Sequence, residues 1–476
     1  MTARLSWLAA AAAALAWLPF VTKPLSPDEG GFLLVASQWH PGRSLYGPYW
    51  VDRPPLLLTV FDLAAHLGGA VALRLIGVLA VVASVLLADL LGRRAAPRRS
   101  LTPAVVAAAF LSTPLFGTTM VNGELLAVPL VLSGLVALVR SWTATGASAL
   151  GWGAVAGVTA AAAALVKQNV VDVFVVAAAL AVQALWARQG RRAGALVAGV
   201  VLGAAAALVA CLLWAEVRGT EPVRLWDAVV TFRTQADAVI RRSANGATSG
   251  RFRELLGAAA LSGAPLVLVV LALRVRRPPE AAGRPDLRVP AAVLIGWELI
   301  GIAGGGSYWL HYLIGLVPGL VLLAAAAAQR PPDLRRTTAV AVALAVASAS
   351  VATVTFAATE PTYSTDLAVA TYLRDHSRPR DTVVVGFGHP DIVYDSGLRS
   401  PYEELWSLPV RVRDPRLTEL THVLDGRRAP TWVVVDGTSL ATWGVDASTA
   451  QTVLDTRYAP ATTIGSYVVW RLHAVR

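Results

Sequence analysis

The chain has 476 residues, of which 55% are hydrophobic and only 15% are charged, and its formal net charge is +11. A soluble protein carries about a quarter charged residues, so the composition excludes an ordinary soluble enzyme. Repeated apolar runs of about 18 or more residues instead predict a polytopic, all-α membrane protein. Cys211 is the single cysteine, which excludes a disulfide framework and a thiolate metal cluster.

About eleven hydrophobic segments are predicted to be membrane-spanning helices. In chain order they cover residues 5–22, 71–91, 101–119, 124–140, 149–166, a segment ending at 188, 193–214, 254–273, 289–303, 309–328 and 337–358. The apolar stretch 56–67 is too short to cross a bilayer and contains Asp62 and His66. It predicts a helix that lies along the membrane surface.

Basic residues are concentrated in alternate short loops between these segments, at 93–99, 188–192, 274–277 and 330–336. This distribution follows the positive-inside rule and predicts a multi-pass protein of the cell membrane with a cytoplasmic N-terminus and an extracytoplasmic C-terminus. A cytoplasmic leaflet accounts for the positive charge, so no nucleic-acid partner is expected.

The composition changes at Thr359, after which Asp, Arg and Pro are more frequent and the apolar runs are shorter. Helices are predicted at 367–376, 417–424 and 449–457, and strands at 381–387, 431–435 and 462–472. Such alternation predicts a small extracytoplasmic α/β domain over 359–476. The transmembrane domain then covers 1–358, with outer loops at 23–70 and 215–253.

The first outer loop contains two groups of charged residues. Asp28 and Glu29 follow Ser26-Pro27, a favourable helix start, so they either cap a helix or include a general base that takes a proton from an acceptor hydroxyl. Arg53 precedes Pro54-Pro55 in a stiff, extended segment. It is either a solvated loop residue or a cation that holds a phosphate group.

Five further residues fall at the outer ends of predicted spans. Glu124 can complement a helix dipole or serve a site, and Lys167 can snorkel to the interface or contact a phosphate oxygen. Tyr308 is predicted to share a helical face with His311 and Tyr312. An interfacial aromatic belt explains the tyrosines but not the histidine. Because charged groups near hydrocarbon usually pair or serve a site, we expect one cavity at the outer membrane boundary.

Three motifs occur in order on this predicted face: Pro27-Asp28-Glu29, the segment Tyr49–Pro55, and the segment Gly304–Tyr312 followed by Pro318. With them, residues 1–330 resemble the polytopic glycosyltransferases of the GT-C fold. The branch that the chain resembles contains the bacterial protein mannosyltransferases and the lipid A aminoarabinose transferase. The trailing α/β domain also suits this family.

The resemblance implies transfer of a sugar, such as mannose, arabinose or aminoarabinose, from a polyprenyl-phosphate donor to a cell-envelope acceptor. That acceptor is a glycan, a lipid or a protein. Asp28, with Glu29 beside it, matches the catalytic base, and Arg53 matches a position, often lysine, that contacts the donor phosphate. His311 and Tyr312 would line the donor site. Glu124, Lys167 and Tyr308 are further candidates for substrate binding.

No cofactor other than the donor lipid is expected. A lipid-phosphate sugar is already activated and its phosphate leaves as an anion, so the reaction does not require a metal, and no convincing ligand cluster is evident; a divalent ion stays an open alternative. A lipid-linked glycan flippase or transporter is the main alternative, and it would place polar groups at mid-membrane on broken helices. A second alternative is a non-enzymatic membrane anchor for the outer α/β domain, but such an anchor would not need eleven spans. A further alternative is an enzyme that transfers whole glycans from a lipid diphosphate. The sequence does not clearly distinguish such an enzyme from one that transfers a single sugar.

Overall fold

A computed structural model gives the structure of residues 2–96, 100–242, 246–277, 279, 283–331, 334–359 and 362–473. Arg98 and Arg99, which belong to a predicted cytoplasmic loop, lie outside these described residues.

Most of the described chain is helical. In chain order the α-helices are α1 (Thr2–Trp17), α2 (Pro27–Ser37), α3 (Pro55–His66), α4 (Ala70–Ala95), α5 (Thr102–Ser112), α6 (Gly123–Thr143), α7 (Gly146–Val166), α8 (Asp172–Trp186), α9 (Gly190–Val217), α10 (Pro222–Trp226), α11 (Phe232–Arg242), α12 (Gly246–Leu261), α13 (Ala264–Arg274), α14 (Arg288–Gly304), α15 (Val317–Ala328), α16 (Arg335–Ala358), α17 (Ser364–His376), α18 (Pro390–Ser396), α19 (Ser407–Arg413), α20 (Thr418–Asp425) and α21 (Ser448–Arg457). The strands are β1 (Val383–Gly386), β2 (Trp432–Asp436), β3 (Tyr458–Ile464) and β4 (Tyr467–Leu472).

The chain divides into two compact units. The first, here called the helical unit, comprises Met1–Val21, Arg74–Leu213 and Ala244–Thr359. The second, here called the mixed unit, comprises Thr22–Leu73, Trp214–Ser243 and Glu360–Arg476. The mixed unit therefore combines the C-terminal α/β segment with most of the two loops that the sequence predicts to be extracytoplasmic.

Each of the eleven predicted spans coincides with a helix or a pair of helices. Among the described residues, six helices are long and apolar enough to cross a membrane, and the pair α12–α13 makes a seventh if it counts as one span. The other predicted spans are α1, α5, α8 and α14, which have 11 to 17 residues. The protein is thus a multi-pass membrane protein, and the total of eleven spans stays a prediction.

The predicted span at 254–273 is a bent pair of helices, since the axes of α12 and α13 differ by 57°. Pro265 occupies the first turn of α13, and a proline has no N–H to continue the hydrogen-bond ladder of the preceding helix. In addition, α12 begins at Gly246, inside the predicted outer loop. The remainder of that loop includes α10 and α11, which the sequence analysis did not predict.

The buried fraction of each spanning helix distinguishes central from peripheral helices in the helical unit. The most apolar window of α6 is 78% buried, whereas those of α9 and α16 are only 22% and 28% buried. Helices that expose continuous apolar surface need an apolar solvent. The low burial of α9 and α16 therefore indicates that they face lipid, and α6 lies inside the bundle.

The mixed unit contains a four-stranded sheet in the order β1-β2-β4-β3. β1 and β2 are parallel, and β4 is antiparallel to both β2 and β3. Val383–Val385 and Val433–Val435 are buried, as expected for the first two predicted strands. The single predicted strand at 462–472 is wrong, because it is a hairpin that turns between Ile464 and Tyr467.

Candidate functional site

The two predicted catalytic acids lie in the first turn of α2, in the mixed unit. The Ser26 side chain accepts a hydrogen bond from the backbone N–H of Glu29 at 3.3 Å, and the Glu29 carboxylate accepts one from the backbone N–H of Ser26 at 3.0 Å. These reciprocal bonds form a capping box. The Glu29 side chain is fully buried, so its carboxylate closes the start of the helix.

Asp28 has a different environment from its neighbour. The indole Nε1–H of Trp406 donates a hydrogen bond to Asp28 Oδ1 at 3.0 Å. The Trp406 ring packs against Phe32, also in α2, with 5.2 Å between ring centroids. Since a donor on one oxygen leaves the other oxygen's lone pairs available, this arrangement fixes the orientation of a partly exposed carboxylate.

Tyr363 places a neutral hydroxyl in the same region of the mixed unit. Burial raises the pKa of Tyr363, and the negative charges of Asp28, Asp391 and Glu29 raise it further. The phenol is therefore a hydrogen-bond donor at any physiological pH. The sequence analysis did not single out this residue.

Arg53 belongs to a second charged group of the mixed unit. Its guanidinium donates to Asp52 Oδ1 at 2.6 Å, and Arg233 from α11 contacts the other carboxylate oxygen of Asp52. Burial acts to raise the pKa of Asp52, but Arg53 and Arg233 outweigh it and hold that pKa below its usual range. One buried carboxylate thus orients two guanidinium groups, leaving the trio with a net charge of +1.

The backbone before α3 is extended, as the sequence Arg53-Pro54-Pro55 predicts. Pro54 caps α3 in an extended conformation, with φ −66° and ψ 156°, and the backbone carbonyl of Arg53 accepts a hydrogen bond from the Tyr46 hydroxyl at 2.8 Å. The Arg53 guanidinium also lies 5.4 Å from the centre of the Phe32 ring. Tyr46 and Phe32 therefore hold the arginine at the start of α3.

The helical unit brings four other candidates together. Glu124, in the first turn of α6, forms an ion pair with Lys167, which caps the end of α7. His311 Nε2 is 3.7 Å from the same Glu124 oxygen. The ammonium of Lys167 lies 5.4 Å from the centre of the Tyr312 ring, which in turn packs edge-on against His311. One carboxylate, one lysine and one histidine thus form a single polar cluster.

Tyr308 does not share a helical face with His311 and Tyr312, so that expectation is wrong. Its φ of 55° is left-handed, which ends the continuous helical geometry, and the following 3₁₀ helix begins only at Leu310. The Tyr308 hydroxyl donates to the Ala303 carbonyl at 3.3 Å, and its ring packs on Phe252. Tyr308 therefore shapes the turn that precedes His311.

Arg251 stabilises the same turn from α12. Its Nε–H donates to the Ser307 carbonyl at 2.8 Å, and its guanidinium lies 4.8 Å from the Trp309 ring centre. Local sequence does not distinguish Arg251 from the other arginines of the predicted outer loop 215–253. Its contacts with a turn 56 residues away leave no local sequence signal.

The mixed unit also contains two polar cavities, with volumes of about 420 and 470 Å³. Arg43, Gln235 and Arg413 line both of them. Glu404 lines the smaller cavity; burial raises its pKa to about 7, although Arg413 opposes this effect. These cavities place charged and amide side chains where a polar ligand can reach them.

The predicted residues thus form distinct groups. In the helical unit, Glu124, Lys167, His311 and Tyr312 lie together, with Tyr308 on the adjoining turn. In the mixed unit, α2 carries Asp28 and Glu29, while Arg53 begins α3. The sequence analysis missed Trp406 and Arg233, which contact Asp28 and Asp52 from distant parts of the chain.

The chain has the GT-C fold, as comparison with solved structures shows. It is similar to ArnT from Cupriavidus metallidurans in the apo state (TM-score 0.62, 14% identity) and bound to undecaprenyl phosphate (TM-score 0.60, 15% identity), over 97% of each chain in both cases. It is also similar to the oligosaccharyltransferase AglB from Archaeoglobus fulgidus, in complex with an inhibitory peptide and a dolichol-phosphate. That match has a TM-score of 0.52 and 13% identity and covers 97% of this chain and 74% of AglB.

No protein-family model and no curated protein sequence matches the chain. The GT-C fold expected from the three sequence motifs is confirmed, while identities of 13 to 15% carry no information on individual side chains.

Proposed function

We propose that the protein is a membrane glycosyltransferase that moves a sugar from a polyprenyl-phosphate donor to an acceptor outside the cytoplasmic membrane. The observation that carries the proposal is a GT-C fold in which the carboxylate of Asp28 is held by the indole of Trp406 at 3.0 Å. The lipid phosphates bound to ArnT and AglB support the donor class.

In this proposal Asp28 is the general base. Its carboxylate takes the proton of the acceptor hydroxyl as the hydroxyl oxygen attacks the anomeric carbon of the donor sugar. The bond between that carbon and the phosphate oxygen breaks, and the polyprenyl phosphate leaves with the electron pair. Trp406 is a positioning residue, because it fixes the orientation of the base. Glu29 caps α2, which carries Asp28.

The leaving phosphate gains negative charge during this step, so nearby cations lower the energy of the transition state. Arg53 in the mixed unit and, separately, His311 and Lys167 in the helical unit are the candidate cations for the donor phosphate. A guanidinium presents a planar pair of donors that suits two phosphate oxygens, whereas an ammonium acts as a compact point charge. Tyr312 supplies an aromatic ring beside Lys167.

The test supplies radiolabelled polyprenyl-phosphate mannose, arabinose and aminoarabinose to membranes that contain the wild type, Asp28→Asn or Glu29→Gln. We expect Asp28→Asn to lower turnover by about 100-fold or more, the usual range for loss of a general base, with donor binding retained. Glu29→Gln is the matched control, since glutamine also forms a capping box, and it should keep most of the activity.

Normal turnover by Asp28→Asn would overturn the assignment of the base. Transport of the labelled donor across proteoliposomes without sugar transfer would overturn the enzymatic proposal in favour of a flippase.

A further inference from the structure

A cluster of three possible metal ligands lies in the C-terminal segment of the mixed unit. Asp366 is in the first turn of α17, His389 immediately precedes α18, and Asp391 is in the first turn of α18. Each offers one ligand atom, and the three atoms lie within 4.8 Å of one another. The proposed transfer reaction gives no role to these residues.

Two members of the cluster are already held in place. His389 Nδ1 is 2.9 Å from Asp366 Oδ2, and the Tyr467 hydroxyl donates to Asp366 Oδ1 at 2.9 Å. The Asp366 side chain is only 8% exposed. Hydrogen bonds of this kind, from a neighbouring hydroxyl to a ligating carboxylate, orient the ligands of metal sites.

Asp391, the third member of the cluster, has an unsatisfied oxygen that independently indicates a bound cation. Asp391 is 1% exposed, and its Oδ1 is buried without a hydrogen-bond partner among the described residues. Its side chain also hydrogen-bonds the carboxylate of Asp366, so without a cation the two acids must share a proton, and Oδ1 stays unsatisfied. A buried carboxylate oxygen with no partner is costly, and two adjacent carboxylates repel each other. A bound cation would satisfy both conditions.

We propose that Asp366, His389 and Asp391 bind one divalent transition-metal ion, with Zn²⁺ or Mn²⁺ as the class of ligand. An imidazole nitrogen combined with two carboxylate oxygens suits these ions, whereas Mg²⁺ and Ca²⁺ prefer oxygen ligands alone. Zinc ligands at about 2.0–2.2 Å from the ion lie about 3.3–3.6 Å apart in a tetrahedron. The ligand atoms of the observed cluster, all within 4.8 Å of one another, are near that spacing.

The metal would fix the helix that supports the Asp28 segment. α18 packs closely on α2, since a Cβ added to Gly30 would be only 2.4 Å from the Cα of Asp391. An ion that joins the start of α18 to α17 would therefore hold the surface on which α2 rests. No sequence pattern indicates this cluster, because Asp366 is 23 residues from His389 and only His389-Pro390-Asp391 is contiguous.

The test uses full-length protein purified in detergent, with its affinity tag removed so that no added histidines bind metal. After EDTA treatment and desalting, Zn²⁺, Mn²⁺, Mg²⁺ and Ca²⁺ are titrated by calorimetry, and bound metal is counted by mass spectrometry. The variants are Asp391→Asn and His389→Ala. Asp395→Asn is the matched control, because Asp395 is in the same helix but outside the cluster.

We expect one Zn²⁺ or Mn²⁺ per chain in the wild type and in Asp395→Asn, and binding at least tenfold weaker in Asp391→Asn and His389→Ala. Zn²⁺ should raise the Tm of the wild type by several degrees and leave that of Asp391→Asn unchanged. In EDTA, Asp391→Asn should be at least as stable as the wild type because it removes the carboxylate repulsion, which shows that the variant folds.

Absence of stoichiometric binding by the wild type would overturn the proposal, as would equal binding by Asp391→Asn or binding of only Mg²⁺ or Ca²⁺. Asp28→Asn should bind the metal normally. The metal site and the proposed sugar transfer can therefore fail independently.

Discussion

Each of the two units places two basic side chains around one buried acid, and the basic residues differ between the units. In the mixed unit, Asp52 lies between Arg53 and Arg233. In the helical unit, Glu124 lies between Lys167 and His311. The side chains of the two acids are nearly equally buried, with exposed fractions of 8% and 7%.

The difference lies in the chemistry of the cations. Two guanidinium groups stay charged at every accessible pH, so the Asp52 group keeps a charge of +1 as long as Asp52 is ionised. A lysine and a histidine give a total charge that depends on protonation of the imidazole. The charge of the first group is therefore fixed over the accessible pH range, whereas that of the second changes with protonation of the imidazole.

The largest expected effect is the loss of stability when the ion pair between Lys167 and Glu124 is removed. Lys167→Met leaves a buried carboxylate with His311 alone, and removal of one partner from a buried ion pair costs about 3 kcal/mol or more. Thermal unfolding of the full chain in detergent measures this as a lowered Tm. The double variant Lys167→Met/Glu124→Gln should recover at least half of the loss. A single variant as stable as the wild type would contradict the ion pair.

The next largest effect is on donor affinity, which should differ between variants of the two arginines that contact Asp52. Arg53→Ala should weaken binding of a labelled polyprenyl-phosphate sugar by about tenfold, equivalent to about 1.4 kcal/mol, because the donor phosphate loses a guanidinium partner. Arg233→Ala is the matched control, since it removes the other partner of Asp52 and should change donor affinity less. Equal loss in both variants would show that Arg53 acts only through the structure of the group.

The smallest effect concerns pH. Protonated histidine attracts phosphate and neutral histidine does not, so donor affinity should fall by about threefold to fivefold as the pH rises through the range in which the imidazole loses its charge. The Asp52 group should not contribute, because the lowered pKa of Asp52 keeps it ionised throughout this range. Its stabilising effect is present above the unfolded-state pKa and is lost only as the pH falls through the lower, folded-state value.

His311→Gln checks this assignment with the same binding assay. It should abolish most of the pH dependence while Arg53→Ala preserves it. A pH dependence that survives in His311→Gln would contradict the assignment to His311.

Much of the fold could be predicted from local sequence. Apolar run length located every helical segment of the bundle, and the buried valines of β1 and β2 identified two strands. The bend between α12 and α13 and the hairpin after Tyr458 were missed, because one apolar or alternating run can fold as one element or two. Tyr308 was misplaced because its left-handed backbone conformation has no clear signal at a tyrosine.

The candidate site was predictable only in part. The sequence indicated Glu124, Lys167 and His311 through their unusual chemistry near apolar runs, and the structure brings them together. It could not indicate Trp406 or Arg233, since their contacts with Asp28 and Asp52 span 378 and about 180 residues. Contacts between such distant residues arise from tertiary folding and leave no periodic pattern.

The length of α9 has a consequence for the lipid around the protein. This helix has 28 residues, which corresponds to about 42 Å at 1.5 Å per residue, whereas the hydrocarbon core of a bilayer is about 30 Å thick. Because α9 is also one of the least buried helices, neighbouring helices shield little of this excess. The helix must therefore tilt, extend into the headgroup layer or thicken the bilayer locally, so bilayer thickness is a physical variable of the protein's environment.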